Sequence, residues 1–285
     1  MLPPRRDDDG GLNAALVLSG HLRRTCSDAE AWRGLAHQVS SCRSAFGVCD
    51  VFLHAWATND VAFDHQGRRH RNQSAWDCAG RLASAFGLAA VTISQQDLHH
   101  TASDHMRSRR WGNTTYPFAG VKFNLIGQQR AVELMRSHGA AMQRTYHAAV
   151  RMRPDIADRR IAKVTNVSSQ LWSVVRDWAR AARRADLRGA AARVAHTCRP
   201  DRSLGGSGTD NCYWSAPPEA LAGALQVFGR DAQAFEQISP PSNTDGCVRV
   251  QHPESLLRCV LPTASVIGRP LETLSVSTVR YRTLK

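Results

Sequence analysis

The chain has 285 residues, 42% of them apolar, which suits one large domain able to bury a core without metal or disulfide staples. Its 37 basic side chains exceed its 24 acidic ones by 13, a balance that draws anionic partners such as phosphate, nucleic acid or lipid headgroups. The arginines are spread along the chain without the aromatic motifs of RNA-binding domains, which disfavours nucleic acid against a phosphate-bearing small molecule, and no apolar run reaches the length of a transmembrane segment.

Residues 1–12 are expected to form a disordered tail ahead of a single domain over 13–285. The apolar run 14–19, followed by Gly20, reads as a buried strand feeding a loop. Ser27-Asp-Ala-Glu30 has the form of a capping box with Ser27 as the cap. Trp32, Leu35, Ala36 and Val39 then recur at helical spacing, which gives a helix with one face on a sheet. A second strand is expected over 49–56, polar loop over 59–72, a helix over 74–86 and a third strand over 89–94. The stretch 98–117 is rich in His, Arg, Ser and Thr and is expected to be a long mobile loop. A helix over 118–137 follows, with Val121, Leu125, Val132 and Met135 on one face and Gly139 as its stop.

The strand expected over 146–152 ends in Arg151-Met-Arg-Pro-Asp155. Residues 170–195 read as a basic helical insertion at the surface, and the glycines of 204–208 as a flexible link into a short strand over 209–215. Pro217 and His252-Pro-Glu254 each open a further helix. Strands alternating with helices predict an α/β, Rossmann-like domain whose mainly parallel central sheet is flanked by helices on both faces. Ligands of such sheets sit beyond the carboxyl ends of the strands.

Two constellations lie at such ends. In Ser19-Gly-His-Leu-Arg-Arg-Thr25 the glycine lets a ligand approach the backbone, and the arginines suit phosphate oxygens; the spacing is neither that of a Walker loop nor GxGxxG. In Arg151-Met-Arg-Pro-Asp155 alternation puts both arginines on one face, where either Asp155 or a phosphate must balance them. The residues alone leave an ion pair closing the strand and a ligand site as equal readings. The tripeptides at Asn72, Asn113 and Asn166 satisfy the glycosylation sequon and eight cysteines permit disulfides, whereas the opening MLPPRRDDDGG lacks the apolar core of a signal peptide. The compartment stays open between the cytoplasm, for the chain as written, and a luminal Golgi or ER glycoprotein domain cut from an anchor.

The ordered series ALVLSGHLRRT, CDVFLHAW, VKFNLIGQQRAVELM, YHAAVRMRPDI, TDNCYWSAPPEAL and HPESLL resembles nucleotide-sugar-dependent glycosyltransferases of the GT-A type, particularly a group found in algae, large algal viruses and bacteria. The resemblance spans most of 14–261 with long unmatched stretches. It implies a single GT-A-like domain, a UDP- or GDP-sugar donor, a glycan or glycoprotein acceptor, and Mn²⁺ or Mg²⁺. It implies Gly20, Arg23, Lys122, Arg151 and Arg153 at the donor and Asp155 at the metal. One departure is the missing Asp-x-Asp, of which Arg153-Pro-Asp155 keeps one carboxylate, with Asp158 three residues on.

Sugar transfer needs a base on the acceptor hydroxyl and neutralisation of the departing diphosphate. Asp210 and then Glu254 are the candidate bases; capping a turn and starting a helix are their structural alternatives. His54 reads as a core histidine beside Trp56, and His99 and His100 lack a partner at metal-ligand spacing. A sulfotransferase using a phosphosulfate donor and a non-enzymatic polyanion-binding module are the alternative functions.

Overall fold

The computed structural model describes residues 11–22, 25–57, 75–95, 109–111, 114–116, 118–154, 165–183, 195–197, 212–216 and 218–219. Its strands are β1 (Asn13–Gly20), β2 (Val48–Trp56), β3 (Ala90–Ser94), β4 (Arg109–Trp111), β5 (Thr114–Tyr116), β6 (Ala148–Met152), β7 (Ala195–Thr197) and β8 (Cys212–Ser215). The helices are α1 (Ala29–Ala45), α2 (Ala75–Phe86), α3 (Phe118–Ala141) and α4 (Thr165–Arg183).

Six strands form one sheet in the order β3-β2-β1-β6-β8-β7. The first four run parallel, and β8 is antiparallel to both β6 and β7. The apolar runs 14–18 of β1 and 148–150 of β6 follow from burial on both faces, for every residue from Ala14 to Ser19 and from Ala148 to Met152 is buried. The fold is thus the α/β, Rossmann-like arrangement with a mainly parallel central sheet that the alternating pattern predicts.

Alternation along the strands sorts the two layers. Leu16 and Leu18 of β1, Val51 and Leu53 of β2 and Val150 and Met152 of β6 pack in one cluster with Leu35 and Val39 of α1, Leu82 of α2 and Trp172 and Val175 of α4. The residues between them, Val17, Phe52, His54, Trp56 and Arg151 among them, are buried on the face that α3 covers. Disulfides Cys26–Cys78 and Cys42–Cys49 tie the α1 approach to α2 and the α1 exit to β2. Among the described residues no helix is long and apolar enough to cross a membrane.

Several boundaries differ from the expected ones for identifiable reasons. The cap of α1 is Asp28, not Ser27: its carboxylate accepts from Glu30 N at 2.8 Å and Ala31 N at 3.3 Å, satisfying two amides at once. Leu12, assigned to the tail, is only 6% exposed and belongs to the core, while residues 1–10 lie outside the described residues. The stretch 98–117, expected to be loop throughout, contains the β4 and β5 hairpin paired from Arg109↔Tyr116 to Trp111↔Thr114. Helix α4 is a core layer and not a surface insertion. Leu171, Trp172, Val175 and Ala179 bury one stripe, and Trp172 Nε1 donates to Gln38 Oε1 of α1 at 3.0 Å.

Gly139 does not stop α3, which runs on to Ala141. The stop is Gln143, at φ 49°, flanked by the bonds Gln143 N to Ala140 O (3.3 Å) and Arg144 N to Gly139 O (2.8 Å), a Schellman ending with glutamine in the left-handed position. Gly139 serves that ending by leaving space, because a Cβ there would stand 2.9 Å from Arg144 O and 3.2 Å from the Tyr146 ring. Gly139→Ala is expected to lower the free energy of unfolding in urea by about 1 to 3 kcal/mol. An unchanged midpoint would show that the turn yields without cost.

Candidate anion-binding site at the ends of the parallel strands

The chain leaves β1 for β2 and β3 on one side, then returns to place β6 on the other side of β1. In open parallel sheets a reversal of strand order marks the crevice, beyond the carboxyl ends of the strands, in which ligands bind. Here the pairing of β1 with β6 ends at Leu18↔Met152, and Ser19-Gly20 and Arg153-Pro154 continue beyond it. Gly20 has φ 133°, a conformation that side chains disfavour, and a Cβ on it would lie 3.8 Å from Pro154 Cδ. The turns after the two strands therefore meet. Arg153 is half-buried beside them.

Arg151 is placed otherwise than a donor contact on an open surface would be. Its side chain is fully buried on the α3 face, with Nε donating to Ser19 Oγ at 2.8 Å. Its NH2 group donates to Ser19 O and Asn124 Oδ1, both at 3.3 Å. Gln128, one turn along α3 and fully buried, donates to the same Asn124 oxygen at 3.0 Å. Arg151 and Arg153 are thus separated in depth, since the strand ends at Met152 and only the first arginine is drawn under α3.

The amino end of α3 lies at this same end of the sheet. Trp56 Nε1 at the end of β2 donates to Phe123 O at 3.2 Å, and Asn124 meets Arg151. A helix amino terminus carries unbonded amides and a partial positive charge, and α3 directs that end towards this side of the sheet. Lys122 belongs to this part of α3, next to Phe123.

His54 lies under α3 beside the crevice. Its ring meets Trp56 edge-on at 4.8 Å, and Nε2 is 3.1 Å from Ser94 Oγ. Nδ1 is buried with no hydrogen-bond partner among the described residues, so the proton belongs on Nε2, where it is donated to the serine; a bare acceptor is cheaper to bury than a bare donor. Gly127 leaves room for this packing, for a Cβ there would come 3.3 Å from His54 Nδ1 and 3.1 Å from Trp56 Nε1. Burial, with the charges of Arg130 and then His21, pushes the His54 pKa down to about 3. The Arg130 guanidinium also stands over the Trp56 ring at 5.3 Å. His54 is therefore a neutral core histidine, as the sequence suggests.

Of the remaining candidates, Arg23, Asp155, Asp210 and Glu254 lie outside the described residues, as do Asp158, His99 and His100. Described residues flanking Arg23 and Asp210 lie at this end of the sheet. Leu22 and Thr25 are both buried, and Thr25 N donates to Leu22 O at 2.6 Å, which fixes the two flanks of Arg23. Cys212, two residues after Asp210, pairs with Met152. Among the described residues no group of three or more His, Cys, Asp and Glu is arranged to hold a metal.

Sequence reasoning placed Ser19 in the strand-end segment without a role for it, and missed Asn124 and Gln128. The available signal was the placing of Asn124 and Gln128 one turn apart on the helix. A cavity of about 250 Å³ lies at the opposite end of the sheet, lined in part by Arg136, Gly139, Arg144, Tyr146 and Glu219. Its Arg144 is already held by Asp50, which also accepts from Tyr146 Oη at 2.6 Å. The hydrogen bond and charge of that carboxylate push the arginine pKa up; burial first, then Asp50, does the same to the phenol. The switch point is the stronger candidate, because Asp50 already balances Arg144, and Arg136 lines the cavity together with Glu219.

Comparison with protein-family models, curated protein sequences and solved structures finds no match to this chain.

His54 titrates near 6.5 when unfolded and near 3 in the fold, so the unfolded state binds the proton first as pH falls. The stability it contributes is complete above about pH 6.5 and is lost progressively towards pH 3, by on the order of a few kcal/mol. Urea unfolding of wild type and His54→Gln across this range is expected to show a shallower acid loss in the variant. Parallel pH profiles would contradict the buried neutral ring.

Proposed function

We propose that this protein is a glycosyltransferase that moves a hexose or pentose from a UDP- or GDP-linked donor to a glycan or glycoprotein acceptor. The observation that carries this reading is the meeting of the turns after β1 and β6, Gly20 against Pro154 with Arg153 beside them, at the switch point of a parallel sheet. A diphosphate laid there would meet the Gly20 backbone, Arg153 and the positive end of α3 together. As the bond from sugar to phosphate breaks, charge builds on the diphosphate, and fixed positive groups stabilise that charge more than they stabilise the bound donor.

The motif resemblance adds weight in the same direction. The strands β1, β6 and β8, each of which holds only part of one of these motifs, are neighbours in the sheet although far apart in sequence. In this reading Arg23 and Lys122 also serve the diphosphate, Asp210 or Glu254 acts as base, and Asp155 holds Mn²⁺ or Mg²⁺. The two disulfides persist best in an oxidising compartment, which favours the luminal setting that glycan biosynthesis commonly uses.

A thermal-shift panel of nucleotide sugars, run with and without Mn²⁺, tests the reading, since a ligand of the folded state raises its apparent stability. The expected result is stabilisation by one uridine or guanosine diphosphate sugar, with affinity at least about tenfold weaker in Arg153→Ala. Stabilisation by adenosine phosphosulfates alone, or salt-sensitive heparin binding without any nucleotide effect, would replace the glycosyltransferase by a sulfotransferase or a polyanion-binding module.

A further inference from the structure

We infer that Arg151 is a positioning residue, not a donor ligand: through Ser19 and Asn124 it sets the two turns and the head of α3 at the spacing a diphosphate requires. This rests on the proposed glycosyltransferase reading and gives the conspicuous RxRPD arginine a different task.

Burial comes first. Arg151, Ser19 and Gln128 have no exposed surface, so the guanidinium cannot reach a ligand in the crevice without dismantling its surroundings. Its hydrogen bonds connect three separate elements. The side chain rises from β6, bonds both the hydroxyl and the carbonyl of Ser19 in β1, and bonds Asn124 in α3. Gln128 holds the same Asn124 oxygen from the other side and fixes that amide.

What these contacts hold is the immediate neighbourhood of the crevice. Ser19 is followed by Gly20, whose turn rests on Pro154, and Asn124 is two residues beyond Lys122. A planar fork can satisfy Ser19 and Asn124 together, whereas a lysine ammonium is a single point at the end of a flexible stem. Arg151→Lys therefore keeps the charge but loses the simultaneous grip, which separates positioning from simple electrostatics. A misplacement of about 1 Å between reacting groups is enough to cost about 100-fold in rate.

The experiment measures binding of uridine and guanosine diphosphates by calorimetry, alongside cooperative unfolding, for wild type, Arg151→Lys, Ser19→Ala and the double variant Arg151→Lys, Asn124→Asp. The expected result is a cooperatively folding Arg151→Lys protein whose diphosphate affinity falls at least about tenfold, with part of that loss recovered in the double variant, where a carboxylate in place of the Asn124 amide gives the lysine a charged partner. Should Arg151→Lys fail to fold, Ser19→Ala carries the test, with affinity expected to fall about threefold or more while cooperative unfolding persists. Lower thermal stability with unchanged affinity in the folded variants would overturn the inference and leave Arg151 a purely structural residue. A wild type that binds neither diphosphate would remove the glycosyltransferase reading itself, and the inference with it.

Discussion

A guanidinium with no exposed surface holds together the elements on which the candidate site depends. Removing a charged group from water costs several kcal/mol unless hydrogen bonds replace its hydration. Arg151 recovers part of that cost from Ser19 and Asn124, and the geometry this demands reaches outward. It accounts for a serine at the end of an apolar strand, and for Asn124 and Gln128 on the inner side of α3. A set of apolar side chains of equal volume would fill the same space without fixing the directions of approach of β1, β6 and α3. Directional bonds are what a site built from three elements needs.

The character of the crevice follows from the same arrangement. Parallel strands send their ends to one side, the chain reverses between β1 and β6, and α3 brings its positive end to that side. The net charge of +13 favours an anionic ligand throughout the molecule, and at this place a positive-φ glycine and the amino-terminal half of a helix lie at the same end of the sheet. At the far end of the sheet, Asp50 already neutralises Arg144 and binds Tyr146, and the cavity there carries Glu219 as well as Arg136. His54 and Trp56 contribute by packing: they form the floor under α3, and burial keeps the histidine neutral.

The layers of the fold were legible because burial on two faces leaves short apolar runs, as in 14–18, 51–53 and 148–150. What the sequence concealed was of two kinds. Local competition moved ends by a few residues: Asp28, whose negative charge suits a helix amino terminus, caps α1 in place of Ser27, and α3 passes through Gly139 because the required space belongs to a later contact with Arg144. Distant contacts were invisible altogether. Alternation tells which face Arg151 occupies but not its depth, and the bond that buries it comes from Ser19, 132 positions away. Helix α4 read as a basic insertion because its arginines dominate the composition, while a narrow stripe of Leu171, Trp172 and Val175 decides where it packs. Strands of three residues such as β4 and β7 are too short to show any period.

The most direct measurement of the central claim is amide hydrogen exchange of the intact protein with and without saturating uridine or guanosine diphosphate. The account predicts slowed exchange in the segments bearing Ser19 to Leu22, the first turns of α3 and Met152-Arg153, with little change around Tyr146 and Glu219. Protection confined to the Tyr146 end of the sheet, or none anywhere, would contradict a ligand site at the switch point.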